Sequence, residues 1–226
     1  MRIAVLGTGM VGRSIAGRLD ELGHDVVVGT RDAGATSART DPDGMGNPGY
    51  GTWAGGHPGV RLATYAEAAS SADLVVNATN GASSAEVLTA AGADNLAGTV
   101  VLDIANPLDF SRGFPPTLFV CDDDSLAEQL QRAFPRARLV KALNTMTAAL
   151  MVDPGLAADG EHTCFVSGDD ADAKALVVDL LHELGHDDVI DLGDITTARG
   201  TEMLLPIWVR LMATLGTSMF NIKVVR

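Results

Sequence analysis

The chain has 226 residues, 46% of them hydrophobic, and a formal net charge of −13. That composition is enough to fill a core, and the acidic balance argues against wrapping nucleic acid or resting on an anionic membrane. Its two cysteines, Cys121 and Cys164, stand outside any CxxC spacing and read as reduced thiols, neither staples nor metal ligands.

Met1 leads straight into a strand-like RIAVLG with no basic-then-apolar leader. No apolar run reaches the roughly 18–20 residues of a membrane span; the nearest, Met203 to Phe220, is interrupted by Pro206 and Arg210. A soluble, cytoplasmic protein is expected.

Arg2–Leu6 is a short apolar run ending in glycine, the form of a buried parallel strand. Val11, Ile15, Leu19 and Leu22 then recur at helical spacing, and Gly23 supplies the stop. Asp25–Gly29 is a second buried strand, which completes a right-handed βαβ unit. From about Ala33 to Gly59 the pattern breaks. The run DPDGMGNPGYGTWAGGHPG holds seven glycines and three prolines in nineteen residues and predicts an irregular loop. Tyr50 and Trp53 inside it read either as part of a lid or as pins to the surface.

Val60–Leu62 predicts a short strand and Thr64–Ser71 a helix, with Thr64 as cap and Glu67 as its box partner. Strands at Asp73–Ala78, Thr99–Ile104 and Arg138–Leu143 alternate with helices at Ala82–Ala91 and Ser125–Phe134, the form of a doubly wound parallel sheet. Beyond about Asp153 come a strand (His162–Ser167), a helix (Asp170–Leu184) and a short strand (Val189–Asp191). One long helical pattern over Thr197–Phe220 follows, and Ile222–Val225 closes the chain. The expected architecture is an α/β Rossmann domain over 1–152 and a small C-terminal α/β lobe over 153–226.

Gly7-Thr8-Gly9-Met10-Val11-Gly12 fits G-x-G-x-x-G, and its position after a strand, opening a helix, makes it a dinucleotide fingerprint. Gly7 makes the tight turn, Gly9 admits the pyrophosphate, and Gly12 lets helix and strand pack closely. An NAD enzyme usually places a carboxylate at the end of the second strand. Here Thr30 and Arg31 stand there instead, suited to donating to and clamping a 2′-phosphate, so NADP(H) is favoured. Asp32 is the counter-indication, since a register shift of two would put it on the ribose. The carboxyl ends of the later strands nominate Ala78, Thr79 and Asn80, then Ala105, Asn106 and Pro107, then Leu143 and Asn144 as the rest of the cofactor cleft.

His182-Glu183-Leu184-Gly185-His186 matches the HExxH zinc signature, but Gly185 falls where the helix should end, so no metal site is expected. Acid–base candidates are few. Tyr50 and Tyr65 lie outside the expected cleft, and only Lys141, Asp103 and Glu202 offer an acid for reducing a small carbonyl or imine. A site without an obvious acid suits transfer between two redox cofactors; an NADP-binding sensor without turnover is the non-enzymatic alternative.

The segments MRIAVLGTGMVG, HDVVVGTR, NPLDFSRGFP, LVKALNT, VSGDDADAKALVVDLLHELG and DLGDITTARGTEMLLPIW resemble the NADP oxidoreductases that use the deazaflavin coenzyme F420. The resemblance runs nearly end to end and implies direct hydride transfer between nicotinamide C4 and the deazaflavin ring, with no catalytic side chain. It implies Thr30 and Arg31 on the 2′-phosphate, Asn144, Thr145 and Met146 with Thr196–Thr197 around the deazaflavin, and a homodimer paired through the C-terminal lobe. A similar nucleotide domain occurs in membrane metalloreductases, whose partner is a flavin. The Asp41–Gly59 loop, Lys141 and Asn144 depart from the archaeal pattern of the family.

Overall fold

A computed structural model describes residues 1–44 and 46–226. The first half alternates as the apolar runs require: β1 (Arg2–Leu6), α1 (Met10–Glu21), β2 (Asp25–Thr30), α2 (Ala33–Ser37), α3 (Tyr50–Gly55), β3 (Arg61–Thr64), α4 (Tyr65–Ala69), β4 (Leu74–Asn77), α5 (Gly81–Ala91), α6 (Ala93–Leu96) and β5 (Val100–Asp103). A two-stranded hairpin of β6 (Leu108–Asp109) and β7 (Thr117–Leu118) follows. Then come α7 (Leu126–Ala133), β8 (Arg138–Ala142), α8 (Ala148–Val152), β9 (Thr163–Ser167), α9 (Ala171–Glu183), β10 (Asp188–Asp191), α10 (Ala198–Met203) and α11 (Leu205–Leu215).

One eight-stranded sheet runs in the order β10-β9-β8-β5-β4-β1-β2-β3. Ile3 and Val5 of β1 pack into the core on one face with Ile15 and Leu19 of α1, while Ala4 and Leu6 face Val87 and Leu88 of α5 on the other. Burial on both faces is why the strand reads as a continuous apolar run. β1 pairs with β2 on one side and β4 on the other, so the direction of winding reverses between β1 and β4. That reversal opens the crevice in which a doubly wound sheet binds its ligand.

Within this sheet the strands of residues 1–152 are all parallel, as the doubly wound pattern requires. β9 pairs antiparallel with β8, Lys141 opposite Ser167, and β10 runs parallel to β9. The strands of residues 153–226 therefore extend the same sheet and point the opposite way.

The glycine-rich stretch is also more ordered than its composition predicts. Asp32 caps α2 through the Ala35 N–H (2.9 Å), and α3 begins at Tyr50, which is buried. Trp53 stacks on His57 with ring centroids 4.3 Å apart, and a side chain at Gly17 of α1 would meet that imidazole at 3.0 Å. The two aromatics thus pin the stretch to α1; Met45 of the same run lies outside the described residues. At the C-terminal end the single long helix expected over Thr197–Phe220 divides at Leu204. Pro206 occupies the first turn of α11, where its missing N–H costs nothing, and left-handed Gly216 ends that helix.

Candidate functional site

The crevice is built from glycines whose absent side chains are each accounted for. Gly7 has φ +127°, and a Cβ on it would lie 2.5 Å from the Ala78 carbonyl oxygen. A Cβ on Gly12 would lie 2.1 Å from the Gly7 carbonyl oxygen, so the turn and helix can approach only without one. Gly9 differs: none of the described residues lies within 4 Å of its Cβ position. It caps α1 with no side-chain bond, and no acidic residue stands in the first turn. The N–H groups of Met10, Val11 and Gly12 have no intrahelical acceptor, which leaves a positive helix end open for a phosphate. A pyrophosphate fits this cradle.

At the end of β2, Thr30 is buried and its Oγ1 lies 2.8 Å from Thr36 Oγ1. Arg31 is 78% exposed and reaches Glu86 on α5 at 3.2 Å. Asp32 is engaged as the cap of α2, so its carboxylate is turned to the Ala35 N–H. Thr8 Oγ1 accepts from Arg39 at 2.9 Å, a cation the sequence reading did not single out because it lies in the glycine-rich stretch.

A second hollow of about 330 Å³ continues from the helix end across the carboxyl ends of β4, β5 and β8. Met10, Val11, Ala78, Thr79, Asn80, Ala105, Asn106, Asn144 and Met146 line it, as their strand ends require. Asn80 caps α5 through the Ala82 N–H at 3.0 Å, so part of its polarity is spent on the fold. Asn106 and Asn144 hold one another. Asn106 Nδ2 donates to the Asn144 carbonyl (2.9 Å), and Asn144 Nδ2 donates to Asn106 Oδ1 (3.0 Å) and the Thr201 carbonyl (3.2 Å). Leu143, at φ +62°, turns the chain beneath them and is buried, as is Thr145, while Pro107 lies outside the hollow.

Thr196 and Thr197 are elsewhere. Because β9 and β10 run against the other strands, the turn after β10 emerges at the far end of the sheet. There Thr196 bonds Asp194 and Thr197 donates to Ser167 Oγ at 2.8 Å. The chain re-enters the hollow one helix later, at Leu205 and Trp208, with Phe110 on the hairpin side. The indole Nε1 of Trp208 is buried without an acceptor among the described residues, a donor that a ligand could satisfy. Neither aromatic was legible as a site residue, since a Trp in an apolar helix reads as core.

No ionisable side chain lines the hollow among the described residues. The three acid candidates pair with each other behind it. Lys141 Nζ lies 2.8 Å from Asp103 and 2.9 Å from Glu202, all three side chains almost wholly buried, and it also donates to the Ala105 carbonyl. Burial pulls the ammonium's pKa down, but Asp103 and Glu202 more than offset it and hold it above the usual lysine value. Glu202 in turn accepts from the Leu126 and Ala127 N–H groups at the start of α7. The trio fastens α7, α10, β5 and β8 together, and none of the three lines the hollow.

The HExxH residues are likewise dispersed. Helix α9 stops at Glu183, and Gly185 is left-handed. Glu183 bonds His24 at 2.9 Å, while His186 is buried and donates from Nε2 to the Met151 carbonyl.

Residues 2–107 match the family model described as coenzyme F420-dependent NADP oxidoreductase. A crystal structure from Arthrobacter sp. FB24, provisionally named an F420-dependent NADP reductase, shares 62% identity over the whole of both chains, with a TM-score of 0.95. The chain belongs to the coenzyme F420-dependent NADP oxidoreductase family. Within curated proteins, the metalloreductase STEAP3 of Rattus norvegicus is 30% identical over 92% of this chain and 38% of its own length. The F420-dependent NADP reductase of Methanothermobacter marburgensis is 28% identical over 93% of this chain and 92% of its own. The chain thus spans about two fifths of the metalloreductase and nearly all of the archaeal relative. Matches over 92% and 93% of this chain reach past Asp153, beyond the residues 2–107 of the family model.

Proposed function

We propose that the protein is an NADP(H)-dependent oxidoreductase that passes a hydride between the nicotinamide and the deazaflavin coenzyme F420. The observation that carries this reading is the apolar hollow beside the helix end, roomy enough for stacked rings and lined by no ionisable side chain among the described residues. When both cofactors are bound, the nicotinamide supplies two electrons and one hydrogen as hydride, and the deazaflavin accepts them with a proton from water. What this chain contributes is alignment and exclusion of solvent. The open cradle at Gly9 and the α1 end hold the pyrophosphate, with Thr30 and Arg31 toward the 2′-phosphate. Ala78–Asn80, Ala105, Asn106, Asn144 and Met146 shape the nicotinamide wall, and Trp208 and Phe110 offer aromatic faces to the second ring.

We assign residues 1–152 chiefly to NADP(H) and residues 153–226 to the acceptor side and to pairing as a homodimer. A cytoplasmic setting without nucleic acid or membrane accords with the charge of −13 and with the absence of any described helix long and apolar enough to cross a membrane. The test mixes the protein with NADPH and either oxidised F420 or FMN and follows absorbance. Turnover with F420 and not FMN is expected; turnover of FMN alone assigns the acceptor to flavins, and binding without turnover of either overturns the enzymatic reading.

A further inference from the structure

We infer that Arg39, carried by the glycine-rich stretch, is the residue that selects NADP(H) over NAD(H), by gripping the 2′-phosphate from the side opposite Arg31. The inference rests on the dinucleotide reading and adds to it a group outside the motif. Pairing of Leu6 with Gly29, and the bond from the Gly7 N–H to the Gly29 carbonyl (3.2 Å), put Thr8 beside the Thr30 end of β2. That is the crest where the outward hydroxyls of an adenosine ribose lie in this fold. Arg39 Nη2 reaches Thr8 Oγ1 there at 2.9 Å, above a hollow of about 550 Å³ that Thr8, Gly9 and Arg13 also line.

The placement is built, not incidental. Gly51 N–H donates to the Arg39 carbonyl at 2.8 Å. A Cβ on Gly49 would fall 2.4 Å from that same oxygen, and one on Gly51 would fall 2.2 Å from the Ser37 carbonyl oxygen. Two glycines therefore let the start of α3 clasp the backbone that carries Arg39, while Tyr50 between them anchors in the core. Charge points the same way. Arg31 is paired to Glu86, whereas Arg39 has no carboxylate partner among the described residues. Across the hollow, Asp43 is turned to the Asn47 amide and Asp41 lines the rim. In a molecule of net charge −13, an unpaired guanidinium on the glycine turn is the local positive spot that an extra phosphate needs.

The test titrates the full-length protein with NADPH and with NADH and compares wild type, Arg39→Ala and Gly51→Ala. Loss of one charged phosphate contact predicts that Arg39→Ala weakens NADPH about ten- to a hundredfold and leaves NADH within about twofold. Gly51→Ala, which touches no ligand, should shift NADPH in the same direction by displacing the Arg39 backbone. Equal losses for both cofactors would make Arg39 a pyrophosphate or structural contact and overturn the assignment, and so would an unchanged NADPH affinity. A wild-type protein that binds neither cofactor would instead sink the dinucleotide reading itself.

Discussion

A glycine kept for the fold and a glycine kept for a ligand fail in different ways, and the crevice holds both kinds. At Gly9 the backbone is extended (φ −76°) and the position where a Cβ would stand is empty. Gly9→Ala should therefore fold as well as wild type, with a melting temperature unchanged or raised by reduced chain entropy. Its methyl nevertheless fills the space a pyrophosphate occupies, so NADPH affinity should fall at least about tenfold. Gly12→Ala puts its methyl into the Gly7 carbonyl and should lower the melting temperature as well as abolish binding. Calorimetry of both variants with and without NADPH separates the two. If Gly9→Ala binds NADPH normally, the turn is a structural corner and not a phosphate cradle.

Among the elements, the seam at β8 shows what sequence patterns carry and what they hide. The glycine turn, the capping box at Thr64 and Glu67 and the buried strands were legible because each rests on neighbours within a few residues. The reversal at β9 was not, because direction is set by which strand edge a segment meets, and that is decided by long-range packing. The same reversal carried Thr196 and Thr197 away from the hollow and brought Trp208 into it. The burial of Lys141 was hidden for a related reason: nothing near it in the sequence shows that Glu202, distant in the chain, is folded against it. Replacing Lys141 by Met leaves two buried carboxylates facing each other and should cost about 3–5 kcal/mol in urea denaturation. The folded pKa of the ammonium is raised, so its contribution is constant at lower pH and is lost only as pH climbs through that value. The lysine's contribution to wild-type stability should accordingly stay level between roughly pH 6 and 9. A variant as stable as wild type in urea would mean that the trio fastens nothing.

At the scale of the molecule, α11 is an apolar helix with too little to lean on. Leu205 and Val209 are buried, but Ile207 and Leu215 are 54% and 55% exposed, two turns apart on one face, with Met203 and Met219 exposed nearby. A chain in water seldom leaves such a stripe exposed, and in the proposed homodimer a second copy presenting the same stripe would cover it by two-fold symmetry. The proposed acceptor side would depend on that cover, because Trp208 sits beside Ile207 on the helix and stacks on Phe220 at 5.4 Å. Ile207→Asp should convert the protein to a monomer in sedimentation velocity. The nucleotide half lies across the sheet at β1 and β2, so NADPH binding should be retained in that monomer, while the KM for F420 rises. Loss of NADPH binding together with the dimer would show that the two halves are not separable in this way. A variant that sediments like wild type would place the pairing surface, if the protein pairs at all, away from α11.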